Sequence, residues 1–220
     1  MAALCDVHGN LPALEAVLAD VAALDVDRIV CGGDLVAGPF PRECLDRLLA
    51  RDAVFVRGNG DRAPGDWVAA QLDPLTLEFL RELPLAVALD GVLYCHGSPR
   101  SDEEILTRVS PEERVRAALE GVTERLVVGG HTHVQYDRVV DAVRLVNAGS
   151  VGRPYEGRSG AFWAVLEDGV VDLRHTAYAV EAAAVAIRAS GYPEAHDVAS
   201  TLVDPEDPDE VSAYFESLAA

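Results

Sequence analysis

The chain has 220 residues, half of them hydrophobic, enough for one sizeable core and short for two, so a single domain over 1–220 is expected. Eighteen basic against 37 acidic side chains give a formal charge of -19, which repels a phosphate backbone and excludes tight, nonspecific nucleic-acid binding. No apolar run approaches the roughly 20 residues of a membrane helix, and the start Met-Ala-Ala-Leu-Cys-Asp carries no basic, apolar leader, so a cytoplasmic location without membrane contact is expected.

In chain order, residues 2–5 read as a short strand, and Pro12 opens an amphipathic helix to about residue 24, proline being favoured in a first helical turn. Residues 28–31 form a second strand ending at Gly32-Gly33-Asp34, and 53–56 a third ending at Arg57-Gly58-Asn59. Helical stretches are expected near 41–50 and 72–82. Residues 85–89 and 92–95 make a hairpin on Asp90-Gly91, a turn signal that favours tight reversal, and the hairpin ends at His96-Gly97. A helix over 111–120 precedes a strand at 125–128 that runs into Gly129-Gly130-His131-Thr132-His133. Paired strands then follow at 136–140 with 143–146, and at 161–167 with 170–178 across Asp168-Gly169. Helices near 180–190 and 207–219 close the chain. Cys5, Cys31, Cys44 and Cys95 lie far apart without a C-x-x-C pair and are expected as buried thiols.

Five strand ends each deliver an oxygen or nitrogen donor: Asp6 with His8, Asp34, Asn59, His96, and His131 with His133. Singly, each reads as an ordinary turn residue or a buried histidine. Together they hold four of only six histidines and one of only three asparagines, and the carboxyl ends of strands are where sites form in open α/β sheets. Imidazole with carboxylate suits zinc, iron, manganese, cobalt or nickel, whereas magnesium and calcium favour an all-oxygen shell. Seven donors exceed one ion's needs. Two ions roughly 3.5–4 Å apart, sharing a carboxylate, would use them all, and Asp34, flanked by glycine, is the choice for that bridge.

The motifs Asp6-Val7-His8, Gly33-Asp34, Gly58-Asn59-Gly60-Asp61, His96-Gly97 and Gly130-His131-Thr132-His133 resemble those of the calcineurin-like metallophosphoesterases over about residues 1–180. Val56-Arg57-Gly58-Asn59, Cys95-His96-Gly97-Ser98-Pro99 and Asn147-Ala148-Gly149-Ser150-Val151-Gly152 resemble the small bacterial and archaeal phosphodiesterase branch. The resemblance implies a four-layer α-β-β-α sandwich of two mixed β-sheets flanked by helices. It also implies that Asp6, His8, Asp34 and His133 hold one divalent ion and Asp34, Asn59, His96 and His131 the other, with manganese the first choice and iron, zinc, cobalt or nickel also suited. Asp61 is a candidate to orient a ligand and, with Asp34 and Asn59, to serve catalysis. No arginine closely follows Gly33-Asp34, which disfavours the protein-phosphatase branch.

The expected activity is hydrolysis of a small phosphoester, a diester first, by a hydroxide held between the ions and attacking phosphorus in line. The alternatives are a phosphomonoesterase, a dinucleoside polyphosphate hydrolase or an interaction scaffold of the same fold. Arg57 and Arg153 are the leading candidates for phosphate oxygens, ahead of Arg62 and Arg100; Asn10 and Gly60 are further substrate-side candidates. The resembled family commonly places at position 60 a histidine that protonates the leaving oxygen. Gly60 cannot, and the gap is expected to leave room beside Asn59, with His175 or His196 as other sources of that proton. Beyond residue 180, the acidic segment 204–216 carries an apolar stripe of Val211, Tyr214, Phe215 and Leu218; it is expected to shape the site, to form a homo-oligomer, or to end the chain as a solvated helix.

Overall fold

The computed structural model describes residues 1–24 and 26–219. In chain order these give β1 (Ala2–Leu4), α1 (Leu11–Ala23), β2 (Ile29–Cys31), α2 (Pro41–Leu49), β3 (Val54–Phe55), α3 (Asn59–Arg62), α4 (Asp66–Ala70), α5 (Pro74–Glu82), β4 (Ala86–Leu89) and β5 (Val92–Cys95). Then come α6 (Glu112–Ala118), β6 (Leu126–Gly129), β7 (Tyr136–Val140), β8 (Val143–Asn147), β9 (Ala161–Glu167), β10 (Val170–Thr176), α7 (Val180–Ala189), α8 (Ala195–Val203) and α9 (Pro208–Leu218).

The strands form two mixed five-stranded sheets, ordered β10-β9-β1-β2-β3 and β4-β5-β6-β8-β7. In the first, β1, β2 and β3 run parallel; in the second, β5, β6 and β8 do. Period-two alternation assigns the faces. Ala3, Val30, Tyr94, Val128 and Val146 fill the layer between the sheets. Ala2, Leu4, Ile29 and Cys31 point outward and pack with Leu14, Val17, Leu45 and Leu48 of α1 and α2, while Val127 and Leu145 meet Val115 and Ala118 of α6. The result is the four-layer α-β-β-α sandwich. All four cysteines are free and buried in it.

Local chemistry explains most boundaries. The Asn10 side chain caps α1 by accepting from the Ala13 N–H at 3.2 Å, and Asp73 caps α5 through Thr76. Asp90-Gly91 and Asp168-Gly169 all adopt positive φ, between 49° and 79°, the backbone that two-residue hairpin turns need. Three helices escape the sequence reading. α3 and α4 span only four and five residues. In α8 no side chain caps the start, and Ser200 and Thr201 bond back to the carbonyls of His196 and Val198, a weak helical signal. α8 packs on α7 through Ala184, Ile187, Val198 and Leu202.

Trp163 is fully buried, and its indole N–H donates to Thr176 Oγ1 at 2.9 Å, which donates in turn to Asp20 at 2.6 Å. This chain ties β9 and β10 to α1. Trp163→Ala should cost about 3–5 kcal/mol in a denaturant titration.

Candidate metal centre

All six parallel strands point their carboxyl ends to the same edge of the sandwich, and the loops that leave them cross-link the two sheets. His131 N–H donates to Asp6 Oδ2 at 2.9 Å, Val151 N–H to the Cys5 carbonyl at 3.0 Å and Gly152 N–H to the Asp6 carbonyl at 2.9 Å. Asn147, at the end of β8, donates to the Gly130 carbonyl and Thr132 Oγ1, fixing the loop that carries His131 and His133. Asp6, His8, Asp34, His131 and His133 all hold φ between 47° and 70°, a left-handed backbone that costs a non-glycine residue of order 1–3 kcal/mol each. Glycine permits the close approach: a Cβ on Gly130 would lie 2.1 Å from Asp6 Oδ2, and one on Gly58 2.2 Å from Asp34 Oδ1.

The side chains converge. Asp6 Oδ1 lies 3.1 Å from His133 Nε2, 3.8 Å from His8 Nε2 and 3.9 Å from His96 Nδ1. Asp34 faces two ways, with Oδ2 at 3.6 Å from His8 Nε2 and Oδ1 at 3.6 Å from His96 Nε2. His96 Nε2 is 3.1 Å from Asn59 Oδ1 and 3.2 Å from His131 Nδ1. Asp6 with His8 and His133, and Asp6 with Asp34 and His96, each place three donor atoms within 4.8 Å of one another.

His8 Nδ1 lies 3.1 Å from the Ala37 carbonyl, His133 Nδ1 2.7 Å from that of Arg153, and His96 Nδ1 2.9 Å from that of Gly32. A carbonyl only accepts, so each of these nitrogens carries a proton, and in the neutral ring Nε2 is left as a bare lone pair. The bare nitrogens of His8 and His133 then face each other at 3.0 Å. Burial and the neighbouring imidazoles push His8 and His131 down to about 4, so they stay neutral. Burial alone would raise Asp6, whereas a proton on His133 or His96 outweighs it and holds the carboxyl below its usual range. Asp6 is fully buried, yet its Oδ1 has no hydrogen-bond partner. Opposed lone pairs around an unsatisfied buried carboxylate oxygen fit a cation, and a metal-ligating imidazole usually has its far nitrogen pinned to a carbonyl in this way.

Residues 1–168 match the calcineurin-like phosphoesterase superfamily domain. The chain belongs to that superfamily. It is 27% identical to a metallophosphoesterase of Sphaerobacter thermophilus, with a TM-score of 0.78 over 92% of this chain and 98% of the other. An uncharacterised protein of Methanocaldococcus jannaschii is 26% identical over 76% of this chain and 82% of its own. An archaeal phosphodiesterase shares the fold at 17% identity and a TM-score of 0.53, over 79% of this chain and 98% of the other. The superfamily depends on divalent metal. No described helix of this chain is long and apolar enough to cross a membrane.

Several expected residues sit elsewhere. Asn10 is fully buried and spends its amide on the Ala13 N–H, the Gly152 carbonyl and the Tyr178 hydroxyl, so it is a cap and not a substrate contact. Asp61 orients no imidazole: its oxygens accept from the backbone N–H groups of Leu35, Val36 and Gly58, tying the loop of Asp34 to that of Asn59. Arg57 and Arg62 both bind Asp102, and Arg57 also donates to the Arg81 carbonyl. Arg100 is paired with Glu104. Gly60 opens no space beside Asn59, because a Cβ there would lie 2.8 Å from that of Ala37 and 3.1 Å from Asp34 Oδ1; its own N–H donates to Asp34 Oδ1 at 2.7 Å. His175 is spent on the Ser159 carbonyl and the Phe162 ring, and His196 lies on the exposed side of α8.

Arg153 differs from the other three. Its Nε is buried without a partner, and its nearest carboxylate is Glu194 at 3.9 Å. Tyr155, absent from the sequence reading, stacks on the His133 ring at 5.1 Å with planes 14° apart. Ser150 Oγ donates to the Asp6 carbonyl and accepts from Arg153 N–H. Ser150 lies in the quoted Asn147–Gly152 motif; nothing in the sequence marks Tyr155.

Asp6→Asn offers a direct check, because its amide N–H can meet the bare His133 nitrogen. Differential scanning fluorimetry should show a metal-free melting temperature equal to or above that of the parent, and loss of the rise on adding manganese, which for a ligand at 100 times its Kd is about 2.7 kcal/mol.

Proposed function

We propose that the chain is a phosphodiesterase that uses two divalent ions per molecule, manganese first. The reading rests on Asp34, whose two oxygens face separate histidine sets at 3.6 Å each. His8, with His133 beside it, stands at one oxygen, and His96, with Asn59 and His131 at its Nε2, at the other. When bound, the ions supply Lewis acidity to the phosphate oxygens and acidify a bound water. The chain's own part is to hold the three imidazoles in one orientation through the carbonyls of Ala37, Gly32 and Arg153, and to offer Arg153 to the phosphate.

Titrating metal-stripped protein with manganese, cobalt, nickel or zinc should restore hydrolysis of an activated aryl diester. Failure of every metal would refute the reading. Asp34→Asn should lower the restored rate by more than the roughly 10–100-fold that loss of an outer partner costs. Arg153→Ala should raise KM by about tenfold or more, the worth of a charge-assisted hydrogen bond, whereas Arg57→Ala, which removes one of the two arginines on Asp102, should act on stability instead.

The leaving group provides a sharper measurement. Gly60 has no side chain to protonate it, and neither His175 nor His196 joins the donor cluster. A missing general acid costs about 10²–10⁴-fold, most for poor leaving groups. Across a diester series the rate should fall steeply as the leaving group becomes more basic, with alkyl phosphomonoesters slow. A flat dependence would mean that another group supplies the proton.

A further inference from the structure

Tyr155 has work on both sides. One face of its ring stacks on His133, and the residue also lines a cavity of about 400 Å³ with Tyr214 and Phe215 of α9. The Phe215 centroid lies 6.4 Å from that of Tyr155 and 6.1 Å from that of Tyr214. Phe215 and Val211 are therefore the half of the apolar stripe that packs inward, while Tyr214 stays 61% exposed at the rim. α9 is fixed in place by Glu216, which accepts from Thr107, Ser110 and Arg114, and by Asp209, which pairs with Arg108. The aromatic wall is thus anchored, and it begins one ring away from a metal-ligand candidate.

Apart from Val211, the rest of the lining is acidic: Glu206, Asp207 and Glu210. Asp207 caps α9 through Oδ1. Among the described residues neither Glu206 nor Glu210 pairs with a cation, no arginine lines the cavity, and the chain has no lysine. Three aromatic rings and two uncompensated carboxylates favour one kind of guest. A second phosphate would be repelled. A neutral nucleobase would stack on the rings but leave the carboxylates unanswered, and an aliphatic alcohol would strip water from them without return. A positive nitrogen gains from the ring faces and the carboxylates together.

We propose that this cavity receives a cationic group of the substrate, so that the preferred phosphodiester carries an amine or quaternary ammonium on the alcohol it retains. This deepens the phosphodiesterase reading and rests on it. The phosphate would lie at the donor cluster beside Arg153, with the ester arm passing over Tyr155 into the cavity.

The test uses metal-loaded full-length protein and two chromogenic diesters with one leaving group: nitrophenyl phosphorylcholine and its uncharged carbon isostere, nitrophenyl neohexyl phosphate. The kcat/KM ratio should favour the choline ester by about tenfold, and Tyr214→Ala and Glu210→Gln should each bring it toward one. A general loss of activity would not move that ratio. A ratio near one in the parent, a ratio unmoved by both variants, or faster turnover of a nitrophenyl thymidine diester would overturn the proposal. If neither diester is hydrolysed with any metal, the phosphodiesterase reading fails by itself. Calorimetric titration with phosphorylcholine and neohexyl phosphate then decides the subsite separately: tighter binding of the cation sustains it, and equal or absent binding overturns it.

Discussion

Three imidazoles are pinned through one nitrogen to backbone carbonyls, and so, in their neutral form, they present bare nitrogens to one small volume where the buried Asp6 Oδ1 also lacks a partner. In a protein without metal that volume is a place of opposed lone pairs, which costs folding free energy. Much of the surrounding backbone is shaped to sustain it. The left-handed φ at five donor residues and the glycines at 33, 58 and 130, where a Cβ would strike His96, Asp34 and Asp6, exist because the loops must approach closer than ordinary side chains allow. Stability has been given up locally so that the donors are already in place, which is the usual relation between strain and a functional site.

The two sheets make this possible. Neither alone carries the donor set: Asp6, His8, Asp34 and Asn59 follow strands of one, His96, His131 and His133 strands of the other. The alternation of Ala3, Val30, Val128 and Val146 in the layer between them sets the spacing of the sheets, and the bonds from His131, Val151 and Gly152 to the first loop fasten them at the donor end. A change in the core that shifts one sheet against the other therefore reaches the site without touching a donor.

How much of this the sequence discloses depends on whether a property is local. Strand ends and donors are legible because histidine and asparagine are rare here and sit beside glycine at the close of short β-rich runs. The hairpins at Asp90-Gly91 and Asp168-Gly169 are legible for a similar reason, since two residues suffice to specify the turn. Partnership is a different matter. Arg57 and Asn10 lie next to motifs, yet Asp102, 45 residues along the chain, takes the arginine, and Gly152, 142 residues along, takes the asparagine. The crowding at Gly60 comes from Ala37, on another loop. Tyr155 acquires its place only when its loop folds under His133, and no spacing announces that.

Charge gives the acidic composition a consistent role. With 37 acids against 18 arginines, an arginine near the site finds a carboxylate at close range, as Arg62 and Arg100 do, unless geometry denies it one, as for Arg153, whose nearest carboxylate stands 3.9 Å away and whose buried Nε has no partner. An anionic substrate approaching such a surface is repelled at long range, within the roughly 8–10 Å over which salt leaves charges unscreened. The donor set, however, contains only two carboxylates, Asp6 and Asp34, and its buried His8 and His131 resist protonation. Divalent ions seated there would be the largest local charges and would invert the sign of the field at the phosphate. Outside that small volume the acidic surface persists. A positive group on the substrate would therefore be drawn along the surface that repels its phosphate, and α9, with its aromatic and acidic faces beside His133, is where those two fields meet.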